Sequence, residues 1–177
     1  MEGMRRRVRI LGAGLAGSEA ALQLANRGIA VELVEMRPGT PTAVHKSGNA
    51  AELVCSNSLK SMKPDSAAGM LKSELSRLKS CVYAAALRHR VAAGGALAVD
   101  REAFSADITA SIEAHPLIGV KRREALRLDD EARGVDALVV ATGPLTSDAL
   151  AESLREATGK DHLAFFDAAA PVVMADS

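Results

Sequence analysis

A chain of 177 residues that is 48% apolar is long enough to form one core of ordinary domain size. Its 22 basic residues balance its 22 acidic residues, so any attraction for nucleic acid must come from a local patch and not from the overall charge. The two cysteines lack the spacing of a zinc site or a disulfide framework, and the apolar runs are too short to span a bilayer. These features predict a cytoplasmic protein with no membrane segment and no bound metal.

The N-terminal residues predict a strand, a glycine-rich turn, a helix and a second strand. Residues 7–11 lead into the stretch GAGLAG, residues 18–27 carry alanine and leucine at helical spacing, and residues 30–35 have the sequence AVELVE. In this context a glycine-rich turn typically binds the pyrophosphate of a dinucleotide. We therefore expect a nucleotide site at this turn.

Each glycine of the turn meets a different steric requirement. Gly12 permits the tight turn after the strand, Gly14 lets the backbone approach a pyrophosphate, and Gly17 allows the helix to pack closely on the sheet. The free N–H groups at the start of the helix then meet the phosphates. The predicted phosphate-binding segment consists of Gly12, Ala13, Gly14, Leu15, Ala16 and Gly17.

Glu35 ends the second predicted strand, 21 residues after Gly14. A carboxylate in this position accepts hydrogen bonds from a ribose 2′-hydroxyl and disfavours a 2′-phosphate. The sequence therefore favours FAD or NAD over NADP as the ligand.

A polar loop follows at about residues 38–65 and contains the stretch AELVCSNSLKS. Cys55 lies there among serine, asparagine and lysine, and the nearby Lys60 and Lys63 favour a thiolate with a lowered pKa. Two interpretations remain open, a reactive thiol that borders the cofactor crevice and an inert thiol covered by the loop.

Several basic residues are candidate contacts for RNA phosphate. They are Lys60, Lys63, Lys72 and the run Arg5–Arg7, although solvated surface side chains are the commoner outcome for such residues. The chain has three Phe, one Tyr and no Trp, so it offers little surface for stacking bases. Any contact with RNA is therefore expected to involve mainly phosphates.

The segment after the polar loop predicts a helix with one apolar stripe, formed by Leu71, Leu75, Leu78 and Val82. Cys81 lies beside this stripe and is interpreted as a small apolar filler. A second helix is expected to begin at the N-cap Asp100 and to carry Phe104, Ile108 and Ile112 on one face. Short strands are then expected about Ile118 and Leu126, followed by a turn at DDEARG.

The run at residues 137–141 predicts a strand that is buried on both faces. Thr142 and Gly143 follow this strand at the carboxyl edge of the sheet, where ligands bind in folds of this kind. They therefore join the candidate nucleotide site. A short helix is expected to end near Gly159, and residues 162–173 begin an element that the chain does not finish.

Several stretches together resemble one family, the bacterial folate- and FAD-dependent tRNA (uracil-5-)-methyltransferases. They occur in that family's order and at close to its spacing: GAGLAGSEAA, EMRP, AELVCSNSLKS, GGALAVDR, ATGPLTS and FFDAAAPVV. The resemblance implies an α/β fold, a Rossmann-like FAD-binding domain with a parallel sheet and helices on both faces. Because family members are more than twice this length, residues 1–177 are expected to form only the N-terminal portion of that domain, with part of an inserted substrate region.

The resemblance also implies a reaction. Methylenetetrahydrofolate gives its one-carbon unit to reduced FAD, the flavin passes it to C5 of a uridine in the T loop of tRNA, and NAD(P)H supplies the electrons. Cys55 is then a catalytic residue, which either adds to C6 of the uracil or protects the carried unit from water. The family's second active-site cysteine would lie beyond Ser177, so the 177-residue chain alone is not expected to methylate tRNA.

Three other interpretations remain. A generic FAD- or NAD-dependent oxidoreductase would need GAGLAG and ATGP but would have no need for AELVCSNSLKS. A non-enzymatic alternative is an incomplete segment that binds nucleotide poorly and catalyses nothing. A thiol redox enzyme that pairs Cys55 with Cys81 is disfavoured, because 26 residues and a helix separate the two thiols.

Overall fold

Strands and helices alternate along residues 6–159, the part of the chain that the computed structural model describes. The strands are β1 (Arg7–Leu11), β2 (Ala30–Glu35), β3 (Ser58–Ser61), β4 (Arg90–Val91), β5 (Ala96–Val99), β6 (Ile118–Arg122) and β7 (Ala137–Val140). The helices are α1 (Leu15–Ala25), α2 (Ala67–Arg77), α3 (Cys81–Arg88), α4 (Arg101–Glu113), α5 (Leu128–Glu131) and α6 (Asp148–Thr158).

Four of the strands form a parallel sheet in the order β6-β2-β1-β7. Ile10 of β1 lies in register with Leu33 on one side and with Val139 on the other, and Leu33 lies in register with Val120. Because all four strands run in the same direction, their carboxyl ends meet at one edge of the sheet. The turns that leave β1, β2, β6 and β7 are therefore neighbours, although two of them are more than a hundred residues apart in the chain.

Both faces of this sheet are covered by helices. Successive strand residues point to opposite faces, and accordingly Ile10 and Leu33 belong to a core formed with α1, α3 and α4. Leu11 and Val34 belong to a second core, in which Leu150 of α6 is buried. The expected architecture, a parallel sheet with helices on both faces, is confirmed.

Helix α4 and the end of α6 also agree with the sequence pattern. The Oδ1 atom of Asp100 accepts hydrogen bonds from the backbone N–H groups of Glu102 and Ala103, both at 3.1 Å. Phe104, Ile108 and Ile112 are buried, as their shared helical face predicts. Gly159 ends α6 with a φ of 63°, a left-handed conformation that glycine adopts without strain.

The bounds of α1 and the structure around residues 126–131 differ from the sequence prediction. Helix α1 begins at Leu15, within the glycine-rich turn, and ends at Ala25. Leu126 is not in a strand, and the first residues of the predicted turn at DDEARG lie in the short helix α5. This helix is held by α6, because Ser153 Oγ accepts a hydrogen bond of 3.0 Å from the N–H of Leu128.

Strand β7 is not buried on both faces, contrary to expectation. Ala137 and Val140 are exposed, because among the described residues β7 pairs only with β1 and forms an edge of the sheet. An apolar run of this kind is typical of the interior of a parallel sheet, and its position at an edge cannot be deduced from its composition.

The single helix expected around residues 71–82 is two helices. Lys79, with a φ of 54°, separates α2 from α3, and Ser80 Oγ caps α3 by accepting a hydrogen bond of 3.0 Å from the N–H of Tyr83. The predicted stripe is only partly buried: Leu71 is 55% exposed and Leu78 is 68% exposed, whereas Val82 is half-buried and packs against the core formed with α1, α3 and α4.

Lys72 differs from the solvated lysine that the sequence suggests. It is buried, and its Nζ donates hydrogen bonds to the carbonyl oxygens of Ser61 (3.0 Å) and Ala68 (3.2 Å). This amine holds β3 against α2, so Lys72 is not a free phosphate contact.

A small antiparallel sheet, in the order β3-β5-β4, was not predicted. Its first strand lies inside the segment that the sequence presents as one polar loop, and Ser58 and Val91 both pair with Ala98 of β5. The strands are only two to four residues long, β3 and β4 are of mixed polarity and β5 is apolar, so they leave little periodic signal.

No helix within residues 6–159 is long and apolar enough to cross a membrane. The unfinished element expected at residues 162–173, and Arg5 of the predicted basic run, lie outside the described residues.

Glu19 connects α1 to α3 and supplies a first test of this fold. Its carboxylate accepts hydrogen bonds from the N–H groups of Cys81 (3.1 Å) and Val82 (2.8 Å) and from Ser80 Oγ (3.0 Å). Glu19→Ala leaves these donors at the start of α3 without their acceptor, so we expect the free energy of unfolding, measured in urea, to fall by about 1–3 kcal/mol. Glu74→Ala is the control, since Glu74 is exposed on α2, and we expect it to change stability by less than about 0.5 kcal/mol. Equal losses in the two variants would contradict the capping role.

Candidate functional site

The turns at the carboxyl edge of the sheet enclose a cavity of about 270 Å³. Of the predicted nucleotide residues, those that line it are Gly12, Gly14, Leu15, Ala16, Glu35, Thr142 and Gly143. Pockets that bury a drug-sized ligand measure roughly 300–1,000 Å³. The described residues therefore enclose room for part of a dinucleotide and not for all of it.

Two glycines of the turn are required by close packing. A Cβ atom on Gly17 would lie 1.9 Å from the carbonyl oxygen of Gly12, so α1 can approach the turn only with glycine at this position. A Cβ atom on Gly12 would lie 2.7 Å from the carbonyl oxygen of Ala141, and Gly12 has a φ of 93°. Gly14 differs, because a Cβ atom there would meet nothing within 4 Å. Gly14 also lines the cavity, and an uncrowded glycine at this place is what a ligand that approaches the backbone requires.

The start of α1 offers unoccupied hydrogen-bond donors at the cavity. Gly14 is the N-cap, so no side chain caps the helix, and the first turn has no acidic residue. The first N–H groups of a helix have no acceptor within the helix, and the helix dipole places partial positive charge at this end. Leu15 and Ala16 line the cavity, so this end of the helix suits a phosphate group.

Glu35 is buried beside the turn, and its carboxylate accepts three hydrogen bonds from the protein itself. Oε2 accepts a hydrogen bond of 2.8 Å from the N–H of Ala13, and Oε1 accepts hydrogen bonds from the backbone N–H (3.0 Å) and Nε (2.9 Å) of Arg37. Burial alone would raise the pKa of Glu35, but the hydrogen bonds from Arg37 and Ala13 outweigh it and hold this pKa below its usual value of 4.5. A carboxylate has about four acceptor positions, so one remains for a ribose hydroxyl.

Arg37 and Glu52, which sequence reasoning did not select, continue this network into the polar loop. Nη1 of the buried Arg37 lies 3.2 Å from Oε2 of Glu52. Glu52 in turn accepts hydrogen bonds from the N–H groups of Lys46 (2.7 Å) and Ser47 (3.1 Å). The loop is thereby attached to the end of β2. The one signal available in the sequence was an arginine two residues after Glu35 in the stretch EMRP.

His45, like Arg37 and Glu52, lines the cavity and was not indicated by the sequence. Its Nδ1 lies 2.7 Å from Thr42 Oγ1. Burial and the nearby charge of Arg37 lower the pKa of His45, so the neutral imidazole is favoured at pH 7.

Thr142 and Gly143 lie at the site although they are more than a hundred residues from the glycine-rich turn in the chain. They follow β7, which pairs with β1 in parallel, so their turn lies beside the glycine-rich turn. Gly143 has a φ of 66°, and Thr142 Oγ1 lies 2.6 Å from Thr146 Oγ1.

The two cysteines have different surroundings. Cys55 is exposed and lies directly after Val54, which lines the cavity, although Cys55 itself does not. Cys81 is half-buried, packs against the main core and accepts a hydrogen bond of 3.5 Å from Asn26 Nδ2. Burial and the nearby Glu19 carboxylate raise the pKa of the Cys81 thiol. Cys81 therefore has the surroundings of a packing residue, as its sequence context predicts.

Within residues 6–159 no group of three or more His, Cys, Asp or Glu residues is arranged to hold a metal ion. The site is instead a cavity bordered by the N-terminus of α1 and by the buried carboxylate of Glu35. The exposed thiol of Cys55 lies one residue after Val54, which lines the cavity. Such an arrangement can bind a phosphate and a ribose and can leave a nucleophile accessible to a second substrate.

Comparison with known proteins identifies similar sequences over nearly the whole chain. The family described as "Glucose inhibited division protein A" matches residues 7–177. A relative from Desulfitobacterium hafniense (strain Y51), named methylenetetrahydrofolate--tRNA-(uracil-5-)-methyltransferase TrmFO, is 52% identical over 96% of this chain and 38% of its own length. A relative of the same name from Synechococcus sp. (strain CC9902) is 53% identical over 98% of this chain and 37% of its own length.

Among solved structures, the 6-hydroxypseudooxynicotine amine oxidase of Pseudomonas geniculata N1 aligns with 81% of this chain and 15% of its own. It is 17% identical, with a TM-score of 0.40, and we draw no functional conclusion from a likeness this weak. The chain spans less than two-fifths of the length of the two sequence relatives described above.

The ionised Glu35 carboxylate supplies a test that depends on pH. Because its folded-state pKa is lowered, its contribution to stability is present above its unfolded value, about 4.5, and is lost as the pH falls through the folded value. Glu35→Gln should be less stable than the wild type at pH 7, and the difference should narrow as the pH falls below about 4.5. Urea denaturation at pH 7, 4.5 and 3 measures this difference. Glu74→Gln is the control for an exposed glutamate, and a Glu35→Gln difference that stays constant with pH would contradict the assignment.

Proposed function

The chain belongs to the glucose inhibited division protein A family, and from this premise we propose that it is the N-terminal part of an FAD- and folate-dependent tRNA (uracil-5-)-methyltransferase. The observation that carries the proposal is the 52% identity to a relative of that name over 96% of the chain. The match includes the polar loop as well as the glycine-rich turn. A generic oxidoreductase would require the glycine-rich turn and the stretch ATGP but not the polar loop.

The proposed reaction forms 5-methyluridine in the T loop of tRNA. When bound, FAD would carry the one-carbon unit of methylenetetrahydrofolate to C5 of the uracil, with NAD(P)H as the source of electrons. The proposed substrate tRNA, the one-carbon donor methylenetetrahydrofolate and the reductant NAD(P)H are all cytoplasmic molecules, so a location in the cytoplasm forms part of the proposal.

The residues at the cavity fit the diphosphate and ribose of FAD. The open side of Gly14 gives a phosphate access to the backbone, and the uncapped start of α1 provides N–H donors and partial positive charge. Glu35 remains ionised through its bonds to Arg37 and Ala13 and would accept a hydrogen bond from the ribose. Thr142 and Gly143 border the cavity from the β7 side.

Cys55 is proposed as the catalytic thiol. Its side chain is exposed and follows Val54 at the cavity lining, so the thiol is accessible to a substrate beside the cavity. Uracil C5 becomes nucleophilic once a thiolate has added at C6, and a one-carbon unit in transit also needs protection from water. Either task suits a thiol in this place, and the two remain alternatives.

Gly14→Val tests the nucleotide site in the full-length protein that carries this chain. The added side chain meets no protein atom within 4 Å of its Cβ, so the melting temperature should stay close to that of the flavin-free wild type. The flavin content should fall to near zero because the side chain fills the approach of the phosphate. Absorbance of the purified variant near 450 nm measures the flavin. A protein of normal yellow colour would show that FAD does not lie at this turn.

Cys55→Ala tests the catalytic thiol, with Cys81→Ala as the matched control. Removing an exposed side chain should alter stability by less than about 0.5 kcal/mol and leave the flavin content unchanged, while tRNA methylation should fall by orders of magnitude because the nucleophile is absent. Cys81→Ala should retain methylation. Melting temperature, flavin content and methyl transfer are measured on the same preparations. Normal methylation by Cys55→Ala would exclude the catalytic role.

A further inference from the structure

A strip of hydroxyl and amine groups begins next to Cys55 and has no part in the cavity. We name it the serine–lysine strip and define it as Ser56, Ser58, Lys60, Ser61 and Lys63. All of these residues are exposed except Ser61, which is half-buried. The strip runs along the segment that leads from Cys55 through β3.

The three serine hydroxyls of the strip accept hydrogen bonds from the backbone and keep their own protons. Ser56 Oγ accepts from the N–H of Ser58 (2.9 Å), Ser58 Oγ from that of Lys60 (3.2 Å), and Ser61 Oγ from that of Lys63 (3.0 Å). Within residues 6–159 none of these hydroxyls donates to a protein acceptor. Each therefore has a proton available for an external acceptor.

The two lysines of the strip have no acidic partner in the described part of the chain. Every ion pair there is formed by an arginine or by His89. Asp65 follows the strip closely and pairs with neither Lys60 nor Lys63. In a chain of zero net charge, two exposed lysines three positions apart and without an ion pair supply the local positive charge that attraction to an anion requires.

The backbone of the strip is held in a fixed shape. Lys60 has a φ of 67°, unusual for a residue with a side chain, and the β3–β5 pairing is irregular between Ser58 and Ser61. The bend is secured by the bond from Met62 N–H to the Gly95 carbonyl (2.8 Å) and by the buried amine of Lys72 on the Ser61 carbonyl (3.0 Å). Burial is the main cause that lowers the pKa of Lys72, and the charge of Lys60 adds to it.

We propose that the serine–lysine strip binds the phosphate backbone of the RNA substrate, with Lys60 and Lys63 as cationic contacts and the serine hydroxyls as neutral donors. The proposal rests on the proposed methyltransferase function, which makes RNA the substrate that must approach Cys55. Lysine, serine and backbone-type donors are the groups that position nucleic acid without reading its bases. The described aromatic residues are not available for stacking there, since Phe104 is buried in the core and Tyr83 lies on α3 and packs against it.

The test compares two double variants of the full-length protein, Lys60→Gln/Lys63→Gln and Lys79→Gln/Lys121→Gln. The control lysines are also exposed and without an ion pair, and Lys79 shares the positive φ of Lys60. Binding of fluorescently labelled tRNA is measured by anisotropy from 50 to 300 mM salt. Loss of two phosphate contacts should weaken binding and reduce the slope of log K against log salt by about 1.5–2 for the strip variant only.

Lysine reactivity provides a second readout. Acetylation followed by mass spectrometry should show that tRNA protects Lys60 and Lys63 and leaves Lys121 reactive. If Lys60 and Lys63 are unreactive without RNA, the strip is covered by protein and the inference is wrong. It is equally wrong if the strip variant keeps the wild-type affinity and salt slope, or if the wild type does not bind tRNA.

Methyl transfer by the wild type separates this inference from the proposed function. If the wild type methylates tRNA and the strip variant keeps the wild-type salt slope, RNA binding by the strip is rejected and the proposed methyltransferase function is retained. If RNA binding depends on the strip but the wild type does not methylate uracil, the proposed methyltransferase function is rejected. The strip then remains an RNA-binding surface. Melting temperature and flavin content of both variants confirm that the substitutions do not act through folding.

Discussion

A buried carboxylate holds together the three segments that form the candidate site. Glu35 binds the N–H of Ala13 in the glycine-rich turn and the guanidinium of Arg37 at the end of β2. Arg37 in turn reaches Glu52 in the polar loop. A charge can be buried only when its hydrogen-bonding capacity is met, so the turn, the end of the strand and the loop must adopt their positions together. The shape of the cavity depends on this network before any ligand binds.

The close packing of α1 on the glycine-rich turn also fixes the shape of the cavity. Gly17 allows the helix to approach the carbonyl oxygen of Gly12 at a distance that excludes a side chain, and the buried Ser18 adds a hydrogen bond of 3.1 Å to the carbonyl oxygen of Ala13. The turn is therefore fixed from two sides, by Glu35 and by α1. Such preorganisation lets backbone N–H groups bind a phosphate without a further loss of conformational entropy.

One continuous segment connects the two proposed surfaces. Val54 lines the cavity, Cys55 is exposed at the next position, and the serine–lysine strip begins at Ser56. Glu52 anchors the start of this segment, and Lys72 anchors it at Ser61. In the proposed enzyme this arrangement would place the thiol between the cofactor and the phosphate contacts, where both substrates must meet.

The sequence by itself determined the elements whose pattern is local. A glycine-rich turn between two apolar strands, the cap at Asp100 and the helical face of Phe104 are produced by neighbouring residues, so their spacing predicts them. Only the tertiary structure decided which side chains of these helices are buried against other elements. The stripe of Leu71 and Leu78 has the spacing of a core helix and is exposed, while Lys72 has the composition of a surface residue and is buried, because burial depends on elements distant in the chain. The network of Glu35, Arg37 and Glu52 was hidden for the same reason: a charged pair separated by 15 residues becomes a contact only after the loop between them has folded back.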